Sequence, residues 1–311
     1  NHLPDLRLAR DIVKRSDEEQ LEMLFGSVPN TLSELIRTAF IPKDGCRFIV
    51  ADFSAIEARV LAWLAGEEWV LEEFRGAGKI YEATASRMFH VPQETIVKGY
   101  PNYEYRQKGK QAVLSCGYGG GVGALKAMGA KMPEEEMQPL VDSWRAANPH
   151  IVQFWYALGN AASEVIEKHN SVLVGKVKVY WRDNRLLIRL PGGRDLCYLS
   201  PRFVINRFGS RGIGYLAASA GGKMELQETF GGKIVENCTQ SIARDLLAHA
   251  MVNLEAAGYP IVFHVHDEAV MEVPIGQGSV EEACRIMAIP PDWAWDLPLR
   301  ADGEEMEFYR K

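Results

Sequence analysis

The stretch "FHVHDEAVMEVP", residues 263–274, places three ionisable side chains inside an apolar run. Mostly apolar residues flank His266, Asp267 and Glu268 on both sides. Burying such groups without partners costs free energy, so we expect them at a turn rather than within a buried strand. The stretch therefore predicts a β-hairpin with His266 and Asp267 near its tight turn.

The bulk composition is that of a globular protein. The chain has 311 residues, of which 47% are hydrophobic and 24% charged, enough for one large domain or two moderate ones. No apolar run approaches the roughly 18 residues of a membrane span, and no secretory signal is visible. Because the sequence starts with Asn1, we expect a processed or shortened chain.

Cysteine usage and charge narrow the functional classes. The five cysteines have no CxxC spacing, which argues against a zinc site and against a disulfide framework and fits a reducing, cytoplasmic compartment. The formal charge of -6 argues against a non-specific coat for nucleic acid. It leaves room for a nucleic-acid enzyme with a local basic face and acidic metal ligands.

The pattern of elements indicates an α+β fold. The strand "CRFIVADF" (46–53) leads into the helix "AIEARVLAWLAG" (55–66), for which Ser54 is the expected N-cap. Near the start of the chain we predict two helices, the second capped by Thr31 with Glu34 completing a capping box. Strands at both ends flank a mostly helical middle with two hairpins over 171–205. Other helices are predicted at about 69–90, 103–121, 133–168, 235–257 and 279–288.

Two carboxylate clusters are candidates for metal binding. Asp52 ends an apolar strand, and Asp267 and Glu268 lie at the hairpin turn. Carboxylates at such edges suit a hard cation such as Mg²⁺. The plainer alternatives are a helix N-terminal aspartate favoured by the helix dipole and a pair of solvated turn residues.

A third cluster lies on the helix at 103–121. Arg106, Lys110, Leu114 and Tyr118 are four residues apart and share one helix face. A stripe that runs from cations to an aromatic ring could bind a polyphosphate at one end and a base at the other. An ordinary amphipathic helix is the alternative. Together, the three clusters are the components of phosphoryl transfer with two metal ions about 3.5–4 Å apart.

Four motifs resemble those of family A DNA polymerases, the DNA polymerase I type, and most closely the phage and prophage members. "ADFSAIEARVLAWLAG" is similar to motif A, "RQKGKQAVLSCGYGG" to motif B with its R-x3-K-x7-YG spacing, and "HVHDEAVMEV" to motif C. "ENCTQSIARDLLAHAM" is similar to the palm helix with its glutamine. The motifs occur in the family's order over about residues 50–273.

The resemblance implies roles for the matching positions in the palm. Asp52 and Asp267 would bind two Mg²⁺ ions, which Mn²⁺ can replace, and the carbonyl of Phe53 would hold the nucleotide-side metal. Glu268 would support the metal site. His266 would contact the primer terminus.

The resemblance also implies roles around the nucleotide. Arg106 and Lys110 would bind the triphosphate, and Lys110 would protonate the leaving pyrophosphate. Tyr118 would stack near the templating base. Glu57 would pair with Tyr118 and block a ribose 2′-hydroxyl. Gln240 would touch the minor groove of the primer–template.

Three positions depart from the family pattern. Ala55 stands where the bacterial enzymes have glutamine, and Tyr81 stands where the fingers have a triphosphate-side histidine. Leu114 replaces the aromatic residue that controls sugar discrimination in the family.

The resemblance divides the chain into palm and fingers. The predicted palm covers 1–62 and 233–311, and the fingers cover 63–232, with the motif B helix at about 103–119 and the hairpin-rich insert at about 171–205. A thumb and an exonuclease-like domain are expected to be absent. We predict a cytoplasmic, monomeric, membrane-free DNA-directed DNA polymerase of a bacterial or phage-infected cell, acting on primer–template DNA and dNTPs.

Three alternatives remain open at this point. A single-subunit RNA polymerase shares the two aspartates and the cationic helix, but it lacks the motif A glutamate that Glu57 supplies here. A catalytically incompetent fragment would keep the fold and need upstream domains for activity. A two-metal nuclease also needs paired carboxylates, but it does not need the stripe from Arg106 to Tyr118.

Overall fold

The computed structural model describes residues 3–206 and 209–310. The twelve α-helices in this part are α1 (Leu6–Lys14), α2 (Glu18–Phe25), α3 (Val28–Leu35), α4 (Ile56–Ala65), α5 (Glu68–Arg75), α6 (Ile80–Phe89), α7 (Glu104–Cys116), α8 (Val122–Ala127), α9 (Glu134–Ala147), α10 (Pro149–Lys168), α11 (Gly231–Ala256) and α12 (Val280–Met287). The ten strands are β1 (Cys46–Phe53), β2 (Ser171–Val174), β3 (Val177–Arg182), β4 (Arg185–Arg189), β5 (Asp195–Ile205), β6 (Arg211–Ala218), β7 (Met224–Thr229), β8 (Ile261–Val265), β9 (Glu268–Pro274) and β10 (Ala301–Met306). The mixture of helices and antiparallel sheets confirms the predicted α+β class.

The chain forms two compact units. The first contains the residues up to Ser54, Leu247–Ile289 and the residues from Arg300 onward, and the second contains Ala55–Leu246 and Pro290–Leu299. Helix α11 begins in the second unit and ends in the first. The palm and fingers boundaries expected from the sequence stay a prediction.

The first unit is built on a four-stranded antiparallel sheet in the order β10-β1-β9-β8. Helix α12 packs against β1 and β10. On one sheet face, the apolar residues Phe48, Val50 and Val270 form a buried cluster that Tyr309 completes. The intervening residue Ile49 is also buried, so both faces of β1 are covered, as expected for a central strand.

In the second unit, a helical group packs beside a six-stranded sheet. Helix α10 contacts α4 and α9 on one side and strands β2 and β3 on the other. The sheet is an antiparallel meander in which each strand pairs with its neighbour in sequence, from β2 to β7. The strand-rich segment predicted over 171–205 therefore continues to Thr229 as a single sheet rather than two hairpins.

A buried carboxylate holds the start of α10. Glu67 is 3% exposed, and its Oε2 accepts hydrogen bonds from the N–H groups of His150 (2.9 Å) and Ile151 (3.3 Å). These N–H groups have no partner within the helix. Burial raises the pKa of Glu67, and the two N–H donors oppose this effect.

We expect Glu67→Ala to destabilise the fold by about 1–3 kcal/mol, because it leaves two N–H groups at the start of α10, including the buried one of Ile151, without an acceptor. Urea unfolding followed by circular dichroism measures the change. The matched control is Glu68→Ala, which removes a neighbouring carboxylate that is 60% exposed and paired with Arg75. The control should change stability by less than about 1 kcal/mol. Equal effects of the two substitutions would contradict the capping role.

Two helix starts differ from the sequence prediction. Helix α3 begins at Val28, after Ser27 and with proline in its first turn, so Thr31 lies inside the helix and its hydroxyl donates to the Ser27 carbonyl. Pro29 explains the earlier start, because proline fits the first turn of a helix. Asp17 also caps a separate α2, so three helices stand where two were predicted.

The predicted cap of α4 was also wrong. The N-cap position belongs to Ala55, which adopts a left-handed conformation (φ 52°) and makes no side-chain capping bond. The chain changes direction at Ala55, between β1 and α4. Ser54, which the sequence pattern favoured as the N-cap, is therefore one position too early. Among the described residues, none of the helices is long and apolar enough to cross a membrane.

Candidate active site

The first candidate site lies where β1 and β9 meet in the first unit. Asp52 is directly opposite Glu268 in the strand register, and the N–H of Phe53 donates to the carbonyl of Asp267 over 3.2 Å. The pairing brings two carboxylates from distant parts of the sequence, Asp52 and Asp267, to the same end of the two central strands. We call this end of the sheet the β1–β9 edge. Both are half-buried.

The hairpin turn carries His266 and Asp267 between β8 and β9, as the sequence predicted. Val265 pairs with Glu268, which leaves two residues in the turn. His266 has φ 52° and is exposed. Left-handed backbone is uncommon for a non-glycine residue, although histidine is among the types that adopt it more often. The turn therefore presents the imidazole to solvent at the end of the hairpin.

Glu268 lies beneath the turn and has a dedicated partner. It is 4% exposed and accepts a hydrogen bond from the Tyr309 hydroxyl, whose residue is 2% exposed. Burial and then the Glu268 carboxylate raise the pKa of Tyr309 above its ordinary value. Tyr309 packs edge-on against Phe263 at a centroid distance of 5.1 Å. The carboxylate is thus held in the sheet rather than extended toward solvent.

Two residues near this edge escaped the sequence prediction. Tyr309 is one, and Asp302, which faces Asp52 from β10 on the other side of β1, is the other. Asp302 is exposed and accepts hydrogen bonds from Arg300. The sequence predicted a short strand here, but not its place beside β1. Only the pairing of β10 with β1 reveals that Asp302 is level with Asp52.

We expect Tyr309→Phe to flatten the alkaline loss of stability. The pKa of Tyr309 is higher in the folded than in the unfolded protein. The stabilisation that this residue contributes is therefore fully present below the pKa of an unfolded tyrosine, about 10, and is lost as the pH rises above that value. Phenylalanine keeps the ring and cannot ionise. Thermal unfolding from pH 8 to 11.5 should show a smaller decline in the variant, which starts about 1–3 kcal/mol lower because Glu268 loses its donor. Parallel declines would contradict the assignment.

The second candidate site lies on α7 in the second unit. Arg106, Lys110 and Leu114 follow one face of this helix, and Leu114 is 48% exposed. Helix α7 ends at Cys116, so Tyr118 lies beyond it rather than on its last turn. Gly109 packs so close to α6 that an added Cβ would lie 2.3 Å from the Tyr81 carbonyl oxygen. The glycine therefore sets how closely the cationic helix approaches its neighbour.

Tyr81 on α6 completes the cationic end of this site. Its ring centroid lies 5.6 Å from Arg106 Cζ and 5.9 Å from Lys110 Nζ, within the range of cation–π contacts. Arg106 Nε also donates to Glu82 Oε1 over 2.7 Å, and this bond raises the pKa of Arg106 further. Two cations and an aromatic ring thus stand together on α6 and α7.

Tyr118 and Glu57 form the other end of the second candidate site. The Tyr118 hydroxyl donates to Glu57 Oε2 over 2.9 Å. Burial, followed by the charge of Glu57, raises the pKa of the Tyr118 phenol. Glu57 is exposed on the first turn of α4, and Trp155 Nε1 donates to the Gly117 carbonyl next to Tyr118. The tyrosine is therefore held from two sides.

Gln240 lies on α11. It is exposed and lines an open pocket of about 340 Å³ with Arg194 and Tyr198. Arg194, the residue before β5, links this strand to α11. Its guanidinium donates hydrogen bonds to Asp245 Oδ1 (2.9 Å) and to the Ser241 carbonyl (2.8 Å). The helix surface around Gln240 is therefore fixed to the meander.

The predicted residues fall into two sets. The first unit contains Asp52, Phe53, His266, Asp267 and Glu268. The second unit contains Glu57, Tyr81, Arg106, Lys110, Leu114, Tyr118 and Gln240. The catalytic roles of both sets stay predictions.

The oxygen donors at the β1–β9 edge fit a hard divalent cation. In the described part of the chain, no group of three or more His, Cys, Asp or Glu side chains is arranged to hold a metal ion. This is compatible with Mg²⁺, which proteins usually bind through one or two carboxylates while substrate phosphates and water supply the other ligands. Asp52, Asp267 and the Phe53 carbonyl provide such a partial set.

Comparison with known proteins agrees with the motifs. The model of DNA polymerase family A matches residues 26–177. Across its whole length, the chain is 47% identical to a DNA polymerase of Bacillus phage SP02, of which it covers 48%. The chain belongs to DNA polymerase family A. This membership and the phage-type resemblance predicted from the sequence are confirmed.

Other DNA polymerases are more distant from this chain. The thermostable DNA polymerase I of Thermus aquaticus is 29% identical over 79% of this chain, which covers 25% of that enzyme. The POL domain of Pol1 from M. smegmatis, solved in complex with DNA primer–template and dNTP, is 20% identical. It superposes with a TM-score of 0.57 over 89% of this chain and 42% of that one. This likeness shows a shared polymerase fold, and the chain spans less than half the length of these relatives.

Proposed function

We propose that this family A chain carries out template-directed DNA synthesis, with transfer of a nucleotide from a dNTP to a primer 3′-hydroxyl. The observation that carries the proposal is the pairing of β1 with β9, which brings Asp52 and Asp267 to one sheet edge. Family membership supports the same reaction.

In the first unit, the proposed roles concern the metal ions and the primer end. Asp52, Asp267 and the Phe53 carbonyl would hold two divalent ions, Mg²⁺ or Mn²⁺. When bound, these ions acidify the attacking hydroxyl and offset charge on the leaving group. Glu268, fixed by Tyr309, keeps the turn in place, and His266 contacts the primer terminus.

In the second unit, the proposed roles concern the nucleotide and the template. Arg106 and Lys110 bind the triphosphate beside Tyr81, and Lys110 donates a proton to the leaving pyrophosphate. Tyr118 stacks near the templating base, and Leu114 contacts the incoming nucleotide. Gln240 contacts the primer–template.

The hydrogen bond between Tyr118 and Glu57 favours DNA over RNA synthesis. It fixes a carboxylate at the position that we assign to discrimination against a ribose 2′-hydroxyl. A polymerase that accepts ribonucleotides has no use for such a block.

Primer extension tests the proposal directly. The chain is incubated at low salt with a recessed primer–template, Mg²⁺ or Mn²⁺, and one dNTP at a time. We expect extension only by the nucleotide that complements the template. Addition of any nucleotide regardless of template, or no extension even with protein in excess over DNA, would contradict the proposal. The second outcome would favour the alternative of a catalytically incompetent fragment.

A further inference from the structure

The meander of the second unit is strongly basic within an acidic chain. Residues 171–229 contain ten Lys and Arg against four Asp and Glu, a formal charge of +6, whereas the whole chain carries -6. A local excess of positive charge in an acidic protein acts at short range and marks a possible contact for a polyanion.

The charge is concentrated on one face of the hairpin β3–β4. In the strand register, Lys178 faces Arg189 and Arg182 faces Arg185, so these four side chains share one side of the sheet. All four are exposed. We call these four residues the basic face.

The opposite side of the same hairpin forms part of the protein core. Val179 and Ile188 are a cross-strand pair on that side, and each is 0% exposed. Helix α10 packs against β3 and β4. The basic face is therefore the solvent side of a firmly anchored hairpin.

The basic face contains two like-charge pairs that folding does not need. Cations directly opposite each other in antiparallel strands repel and destabilise the sheet. Asp195 neutralises Arg189 through a bond of 2.6 Å, but the nearest carboxylate oxygen to Arg182, on Asp183, is 3.9 Å away. Within the described residues, Lys178 and Arg185 take part in no salt bridge. An external polyanion would remove this repulsion.

An aromatic ring lies between the two cationic pairs. Tyr180 faces Leu187 in the register, and its hydroxyl donates to Asp195 over 2.7 Å. Lys178 Nζ and Arg189 Cζ each lie 5.9 Å from its ring centroid. Alternate residues of a strand are about 6.8 Å apart, so the cations form a spaced array on a rigid surface rather than a flexible tail.

We propose that the basic face binds the phosphodiester backbone of DNA, as a contact separate from the candidate active site. Arginine forks match phosphate oxygens, and contacts to the phosphate backbone carry no sequence information, so the proposed binding is independent of sequence. The inference does not rest on the proposed catalytic function, since phosphate binding needs neither a dNTP nor a metal ion.

Fluorescence anisotropy with a labelled 20-nucleotide single strand, in EDTA and without dNTP, tests this contact. The variant is Arg182→Gln with Arg185→Gln. The control is Arg7→Gln with Arg285→Gln, which removes the same charge from exposed positions of the first unit. We expect the basic-face variant to bind about tenfold more weakly at 50 mM salt, with a salt slope smaller by about 1.4, or about 0.7 for each lost contact. The control should bind within about twofold of the unmodified chain.

Two further measurements keep the result interpretable. Thermal unfolding should show the basic-face variant to be as stable as the unmodified chain or more stable, because it relieves repulsion. Arg185→Lys alone should retain most of the affinity, because it keeps the charge. The proposal is overturned if the basic-face variant binds DNA with unchanged affinity and salt slope, or if the control variant weakens DNA binding equally. It is also overturned if the basic face binds anionic vesicles while its substitution leaves DNA binding intact.

Discussion

Replacing Asp267 with alanine is expected to reduce primer extension by about a thousandfold or more. A carboxylate that holds a catalytic metal contributes several kcal/mol to transition-state stabilisation, and each 1.4 kcal/mol is about tenfold in rate. Asp267 is half-buried in a two-residue turn, and its carbonyl bonds the strand that carries Asp52. The backbone contact survives the substitution, so the loss reports on the carboxylate itself.

The matched control for this experiment is Asp44→Ala. Asp44 is also a turn aspartate of the first unit, and it is exposed just before β1. Its removal gives the same change in charge and should leave extension unchanged. Near-normal extension by the Asp267 variant would remove it from the catalytic assignment. Titration with Mn²⁺ followed by electron paramagnetic resonance gives an independent readout, in which the Asp267 variant should bind the ion more weakly.

Replacing Glu57 with alanine is expected to lower the preference for dNTPs over rNTPs by about a hundredfold. The carboxylate is held by the Tyr118 hydroxyl, so it can exclude a 2′-hydroxyl by occupying the space that this group would need. Without Glu57, the ribose meets a shorter and neutral side chain. The ratio of kcat/KM for a dNTP and the matching rNTP on one primer–template measures the preference.

Two variants separate this effect from general damage. Tyr118→Phe keeps both the ring and Glu57 but removes the bond between them, so it should cause a smaller loss of sugar selectivity. Glu68→Ala removes an exposed carboxylate of the next helix and should have no effect. If Glu57→Ala leaves ribonucleotide rejection unchanged, the sugar-selecting role of this residue is wrong.

The sequence predicted those elements whose pattern is local. The hairpin of β8 and β9 follows from alternating apolar residues around a polar centre, and the helix predicted at 103–121 forms as α7 over Glu104–Cys116. The motifs also identified Glu57 and Tyr118 as partners, although they are far apart in the sequence. No local pattern could have done so, and the family resemblance supplied that pairing.

The failures have a common physical origin. Thr31 and Ser54 are good capping residues by type, but Pro29 and the reversal at Ala55 set the real helix starts. Tyr309 and Asp302 were missed because their importance depends on strand order, which brings β10 beside β1. Strand β6 contains two glycines and β7 (MELQET) is mostly polar, so only two hairpins were predicted where six strands form one sheet.

The two sheets differ in the distance along the chain that each pairing must close. Every strand of the meander pairs with its immediate neighbour, whereas β1 must find β9 and β10 after more than two hundred intervening residues. Local pairings close short loops and form early, whereas long-range pairings carry a larger entropic cost and form late. During synthesis, Asp52 therefore emerges long before its partners, and the meander can fold while β1 remains unpaired. The edge that we assign to catalysis is thus among the last parts of the molecule to assemble.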